Sequence, residues 1–239
     1  MQGRFHKLRY NNLTLPFRPF YRRYPYTGGL SIGSADARGC LDLALGCFYN
    51  RMPKAANSTV TTTLARLREG RDITSKVAKK LFDTPGQLRS DQMAAFDALF
   101  KFTVVRNPFT RVLSAYLDKV ERPQPQALGR TGFADFISGL ERGRLLGNGH
   151  WAPQRAMLLI PVERLDFIGR VETLEADLVH VQQRLCPDRA ATMKSFLANA
   201  TGSRDKLAQY YDASLVDRVR RLYQADFETF GYADTSPLA

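Results

Sequence analysis

The 239-residue chain predicts an α/β fold with a small, mostly parallel sheet flanked by helices. Three observations lead there. Short apolar runs of strand character, 45–52, 101–105 and 165–169, alternate with segments whose apolar residues recur every three or four positions. Two of these runs lead through a proline, Pro53 or Pro108, into a helical pattern. Such alternation calls for helical crossovers and therefore parallel pairing. With 44% hydrophobic and 11% aromatic residues, the chain has material for a substantial core.

Taken in order, residues 1–44 read as a basic, aromatic N-terminal extension. Pro16, Pro19 and Pro25 punctuate it, and Gly28-Gly29 closes the Arg/Tyr/Phe-rich part. It is expected to pack over the domain or on a partner; interleaved basic and aromatic residues also suit nucleic acid. The domain proper is expected over 45–239. Leu45–Met52 is its first strand and Thr59–Arg68 the next helix, with Val60, Leu64 and Leu67 on one face and Gly70 as its stop. A helix from Asp91 to Leu99 precedes the strand Lys101–Val105. Asn107 and Pro108 then supply an N-cap and a first helical residue for a helix to about Val120. Residues 121–160, proline-rich at first and then basic and glycine-rich, read as an insertion at an acceptor site. Leu165–Gly169 is the third strand and Glu172–Cys186 a helix stopped by Pro187. Ser214 and Asp217 form an acidic capping box for a last helix ending at Gly231.

The loop Pro53-Lys54-Ala55-Ala56-Asn57-Ser58-Thr59 is the chemical centre of this pattern. A strand ending in a tight turn before a helix leaves backbone N–H groups and the positive end of the helix dipole aimed at one point. Lys54 adds a full charge, and Ser58 and Thr59 add hydroxyl donors. A second constellation follows at Arg106-Asn107-Pro108-Phe109-Thr110-Arg111-Val112-Leu113-Ser114-Ala115-Tyr116. Arg106 sits at a strand end, and Ser114 lies two helical turns beyond Asn107 on the same side. Either the two converge on one phosphate, or Arg106 caps the sheet in a salt bridge and Ser114 is a small packing residue.

The formal net charge of +12, with arginine outnumbering lysine, points to an anionic partner and to planar oxyanion recognition. Cys40, Cys47 and Cys186 match no zinc spacing and make no even disulfide set, so reduced thiols are expected. No apolar run approaches the roughly 20 residues of a membrane span, and the basic N-terminus lacks the apolar segment of a secretory signal. A cytoplasmic protein, bacterial and at most peripheral to a membrane, is the expectation.

Pro53-Lys54-x-x-x-Ser58-Thr59, followed about fifty residues later by Arg106-x-Pro108-x-x-Arg111-x-x-Ser114-x-Tyr116, resembles the sulfotransferases. Asn148-x-His150-Trp151-x-Pro153-Gln154, Asp166-Phe167-Ile168-Gly169-Arg170-x-Glu172-Thr173-Leu174 and Tyr223-x-x-Asp226-Phe227-x-x-Phe230-Gly231-Tyr232 look like the carbohydrate sulfotransferases that modify chondroitin and dermatan, and their bacterial relatives. The resemblance covers roughly 46–232. It implies a P-loop-like three-layer fold, 3′-phosphoadenylyl sulfate as co-substrate, no metal, and a carbohydrate or glycolipid hydroxyl as acceptor. In its terms Lys54 is catalytic, and Lys54, Ala55, Ala56, Asn57, Ser58 and Thr59 hold the 5′-phosphosulfate. Arg106 and Ser114 hold the 3′-phosphate, and Arg204 or Lys206 reaches the phosphates from a late basic loop. His150 is the acceptor's base or a structural histidine orienting Trp151, and Glu172 is the alternative base or a partner of Arg170.

The chain departs from the resemblance at three points. Ala55-Ala56-Asn57 replaces the usual glycine or small residues, with Asn57 expected to take the tight turn. The membrane anchor of the Golgi enzymes is missing, and so is their cysteine after the Pro-Gln pair, where this chain reads Arg155-Ala156-Met157. The rival readings are a basic nucleic-acid-binding module and a non-catalytic nucleotide-binding protein. A P-loop kinase would need a Gly-x-x-x-x-Gly-Lys-Ser/Thr run, and the chain has none.

Overall fold

The computed structural model describes residues 10–123, 129–188 and 206–235. A four-stranded sheet with order β1-β2-β3-β4 forms its centre. Ahead of it come the short helices α1 (Pro19–Arg23) and α2 (Ile32–Asp36). Strand β1 (Gly39–Asp42) pairs antiparallel with β2 (Cys47–Asn50). β2 runs parallel to β3 (Phe100–Val105), and β3 parallel to β4 (Phe167–Arg170). The connections are helical. α3 (Asn57–Glu69), α4 (Ser75–Ala78) and α5 (Met93–Asp97) link β2 to β3. α6 (Pro108–Tyr116) and α7 (Gly129–Gly139) lie between β3 and β4. α8 (Leu174–Leu185), α9 (Leu207–Tyr210), α10 (Ala213–Leu222) and α11 (Gln224–Phe230) complete the chain.

Side-chain alternation along the strands builds the three layers. From β2, Cys47 and Tyr49 join Phe100, Phe102 and Val104 of β3 on the face covered by α3 and α8. Phe48 turns to the opposite face, where it meets Phe20 of α1 and Phe96 of α5. A third cluster packs α6 against α7, α10 and α11 through Phe109, Tyr116, Phe133, Tyr211, Val219 and Phe227. His180 of α8 packs its ring on Phe167 at 4.5 Å, a structural role.

The N-terminal segment is tied into this body. Leu15, Phe20 and Tyr21 are buried in the second face's core, Tyr21 donates to Asp36, and Tyr26 donates to the Ala156 carbonyl. β1, the antiparallel edge strand, lies within the segment expected to be an extension. Its four residues are all buried, yet the short run is framed by polar and glycine residues and carries no alternation.

Several boundaries shift from those expected. α3 begins at Asn57 rather than Thr59. α6 runs on into one wider turn, Leu117–Glu121. The final helix is two helices broken at Tyr223, and its cap is Asp212, whose carboxylate accepts from Leu215 N, rather than Ser214. Cys40 and Cys47 are buried free thiols, and burial pushes the Cys40 thiol up to about 12. No helix among the described residues is long and apolar enough to cross a membrane.

Candidate active site

The parallel register sets Asn50 of β2 beside Thr103 of β3, so the loops leaving both strands open on one edge of the sheet. In parallel α/β sheets the carboxyl ends of the strands are where ligands bind. A cavity of about 990 Å³ lies there, lined from one loop by Lys54, Ala56, Asn57 and Ser58 and from the other by Arg106 and Ser114. Its wall carries eight lysine and arginine side chains against two carboxylates, Asp118 and Glu121.

The first loop is bent by two left-handed residues, Lys54 (φ 67°) and Ala56 (φ 51°). This corrects the expectation that Asn57 takes the turn: Asn57 is already helical, and Ala56 occupies the N-cap position without a side-chain cap. A left-handed residue that is not glycine costs about 1–2 kcal/mol, and such strain concentrates at ligand sites. It leaves the first turn of α3 facing the cavity with no side chain drawn across it. Ser58 points into the cavity and accepts from Lys79 Nζ at 3.0 Å. Ala55, in the turn, and Thr59, rotated by about 100° along α3 from cavity-facing Ser58, face the core at 0% and 1% exposure. Their side chains do not line the cavity, which corrects the expectation of a Thr59 hydroxyl donor there.

Lys54 Nζ pairs with Asp118 Oδ2 at 3.2 Å. Burial lowers the pKa of the ammonium, and the Asp118 partner opposes that shift. Asp118 comes from the wide turn after α6, and such turns recur at functional sites. Burial pushes its carboxyl up, but hydrogen bonds from Lys119 and Lys54 outweigh this and hold it below the usual carboxylate range. The chain pattern alone gave Asp118 no role.

Arg106 reaches the first loop directly. Its Nη1 donates to the Lys54 carbonyl at 3.3 Å, and its Nε to Thr110 Oγ1 at 3.0 Å. Burial lowers its pKa, and Glu172 opposes. The backbone at the start of α6 is satisfied by protein groups: Gln154 Oε1 accepts from Arg106 N, Glu172 Oε1 from Asn107 N, and Asn107 Oδ1 from Phe109 N. The N-terminus of α6 is therefore closed, and what this element offers the cavity is side chains. Glu172 also accepts from the Tyr232 hydroxyl, and Arg170 donates to the Phe230 carbonyl and lies over the Tyr232 ring. Glu172 is occupied structurally and does not line the cavity, whereas His150 does.

His150 lines the cavity with Lys54. Asn148 Oδ1 accepts from the His150 backbone N–H at 3.0 Å and lies 2.9 Å from Nδ1. An oxygen already receiving one donor fixes the amide orientation, so Nδ1 carries the proton and Nε2 keeps the lone pair. Burial, reinforced by Lys119, Arg38 and Lys54, drives the pKa of the ring down to about 4, so it is neutral at physiological pH. Trp151 Nε1 donates instead to the Arg144 carbonyl.

Beneath the cavity, the fully buried Arg111 donates to the carbonyls of Pro53, Ala152 and Gly149, tying the lysine loop to the histidine loop. Buried Asp226 sits in its field and accepts from the backbone N–H groups of Gln154 and Arg155. Arg111, Gln154 and Asp226 belong to the quoted motifs, but their supporting roles follow from the geometry. Lys206 lines the cavity, while Arg204 lies outside the described residues.

Comparison with known proteins agrees with this arrangement. The model of the sulfotransferase family matches residues 45–233. Carbohydrate sulfotransferase 10 of Rattus norvegicus is 30% identical over 167 residues, 56% of this chain and 47% of the relative. The Mus musculus protein of the same name is 29% identical over the same shares. The Gallus gallus protein is 28% identical, covering 46% of its length. The chain thus spans about half the length of the curated relatives it matches. No solved structure matches. A matched segment that takes in both cavity loops and the three parallel strands β2, β3 and β4 places this chain in the sulfotransferase family.

Proposed function

We propose that the chain moves a sulfuryl group from 3′-phosphoadenylyl sulfate to a hydroxyl of a carbohydrate or glycoconjugate. The observation that carries this reading is the meeting of Lys54, on its doubly left-handed loop, with Arg106 and Ser114 in one cationic cavity. The relatives' name, carbohydrate sulfotransferase 10, supports the choice of acceptor.

The donor supplies an activated sulfuryl group, and the chain's residues bind, orient and neutralise. Backbone N–H groups of 56–58 and the Ser58 hydroxyl hold the 5′-phosphosulfate at the positive end of α3. Lys54 moves off Asp118 to neutralise charge building on the bridging oxygen, the electrostatic work that transfer of such a group demands. Arg106 and Ser114 hold the 3′-phosphate, with Arg106 offering planar donors that match it. His150 Nε2 takes the proton of the attacking hydroxyl, and Asn148 keeps the tautomer.

Calorimetry with adenosine 3′,5′-bisphosphate and AMP tests the donor assignment. The wild type is expected to prefer the bisphosphate. Arg106→Ala should cost the bisphosphate roughly tenfold to a hundredfold, the worth of a charged hydrogen bond, and AMP little. Equal losses for both ligands would remove the 3′-phosphate role.

A further inference from the structure

Lys79 lies outside both phosphate motifs, yet it faces the same cavity. It directly follows the single turn of α4, and of Lys76, Lys79 and Lys80 only Lys79 lines the wall. The segment that carries it is anchored on both sides. Ile73 and Leu81 pack against the core between the sheet and α3, and Phe82 belongs to that core. Leu41 and Asp83 exchange backbone hydrogen bonds at 2.9 and 3.1 Å. From this platform Lys79 Nζ donates to Ser58 Oγ at 3.0 Å, on the first turn of α3.

A serine hydroxyl has one hydrogen and two lone pairs, and an ammonium can only donate. The bond from Lys79 therefore occupies a lone pair of Ser58 and leaves the hydroxyl hydrogen for a second oxygen. An oxygen accepting that hydrogen lies within about 5 Å of Nζ, so a small swing of the four-carbon stem closes a direct contact. The charges that bear on Lys79 are Arg51, Arg38 and Lys119, every one a cation. Lys54 rests on a carboxylate, Asp118, whereas Lys79 rests on a hydroxyl. An ammonium held among other cations is disfavoured until an anion arrives.

Resting on the sulfuryl-transfer reading above, we propose that Lys79 is a further binding residue for the donor: it brings a second cation to the 5′ anion and keeps Ser58 as a donor to it, so that the site selects nucleotides carrying a 5′-phosphate. Its role differs from that of Lys54. Lys54 answers charge that builds on the bridging oxygen during transfer. Lys79 meets charge that is present throughout, so its worth is read in affinity.

Calorimetry on the full chain with adenosine 3′,5′-bisphosphate and adenosine 3′-monophosphate tests this, because the two ligands differ only in the 5′-phosphate. The wild type is expected to bind the bisphosphate at least about tenfold tighter. Lys79→Met should cost the bisphosphate roughly tenfold, the worth of a charge-assisted hydrogen bond. It should leave the monophosphate within about twofold, which also reports an intact fold. Lys79→Gln keeps a donor for Ser58 without the charge and should lose the bisphosphate as Lys79→Met does. Wild-type affinity in Lys79→Gln would reduce Lys79 to a tie between α4 and α3 and overturn the proposal. So would a Lys79→Met variant that loses both ligands equally or neither, and so would a wild type that binds both ligands equally. A wild type that binds neither ligand overturns the donor reading itself, and is seen before any variant is made.

Discussion

Gln154 grips the backbone of Arg106 from both sides: its Oε1 accepts from Arg106 N at 2.9 Å and its Nε2 donates to Arg106 O at 2.9 Å. Gln154 is itself fully buried, and its own backbone N–H is held by Asp226. The amide therefore fixes the point from which the Arg106 side chain departs. Gln154→Ala leaves a buried donor and a buried acceptor unpaired, which should cost about 1–3 kcal/mol of stability. It should also weaken bisphosphate binding while sparing AMP. Gln154→Glu keeps the acceptor but loses the donor and buries a charge, so it should be the worse variant in a thermal melt. A Gln154→Ala protein with unaltered bisphosphate affinity would show that Arg106 needs no such support.

The Lys54–Asp118 pair makes a second prediction, because the two residues should fail in different ways. Lys54→Ala removes the charge proposed to act at the sulfuryl bridge and should reduce turnover by roughly a hundredfold or more. Its melting temperature should stay near that of the wild type. Asp118→Asn removes a negative charge from an anion cavity and frees Lys54, so bisphosphate should bind roughly twofold to fivefold tighter, the range of a partly exposed ion pair. Turnover should fall, because Lys54 loses the partner that aims it. Steady-state kinetics resolve this as lower KM with lower kcat. Full transfer activity in Lys54→Ala would overturn its assignment.

How much of this was legible in the chain depends on how local the signal was. The parallel strands and the helices after Pro53 and Pro108 were readable, since apolar period and punctuation are local properties. β1 was not: Gly39-Cys40-Leu41-Asp42 is strand only because β2 and the Asp83 bridge lie beside it. The turn at Ala56 was misplaced onto Asn57 because propensity favours asparagine, and tertiary anchoring by Arg106 and Arg111 holds Lys54 and Ala56 in the less common conformation. Lys54, Arg106, Ser114 and His150 could be singled out as residues with a chemistry. Asn148 sits two residues from His150, but Asp118, Gln154 and Arg111 reach Lys54, Arg106 and Pro53 across 64, 48 and 58 residues of sequence, and no local pattern encodes such pairings.

His150 yields a prediction whose sign follows from its surroundings. Burial and the cations Lys119, Arg38 and Lys54 hold its pKa at about 4, below the ordinary histidine value of 6.5. A lowered histidine pKa means that the unfolded chain binds more protons between those two values, so this group's contribution to stability is full above about 6.5 and is lost as pH falls toward 4. The chain has three histidines, so a proton NMR titration can follow His150 once His150→Asn has identified its signal. In the free protein the midpoint should lie near 4. Adding adenosine 3′,5′-bisphosphate places anionic charge beside the same cations and should move the midpoint upward, toward the range where a base works best. Arg38→Gln should raise it too, by removing one of the cations that lower it. A midpoint that bisphosphate leaves in place would separate His150 from the nucleotide and return it to the structural role of holding its loop. His150→Asn would then keep its transfer rate, whereas a base at this position predicts a loss of roughly a hundredfold or more at unchanged bisphosphate affinity.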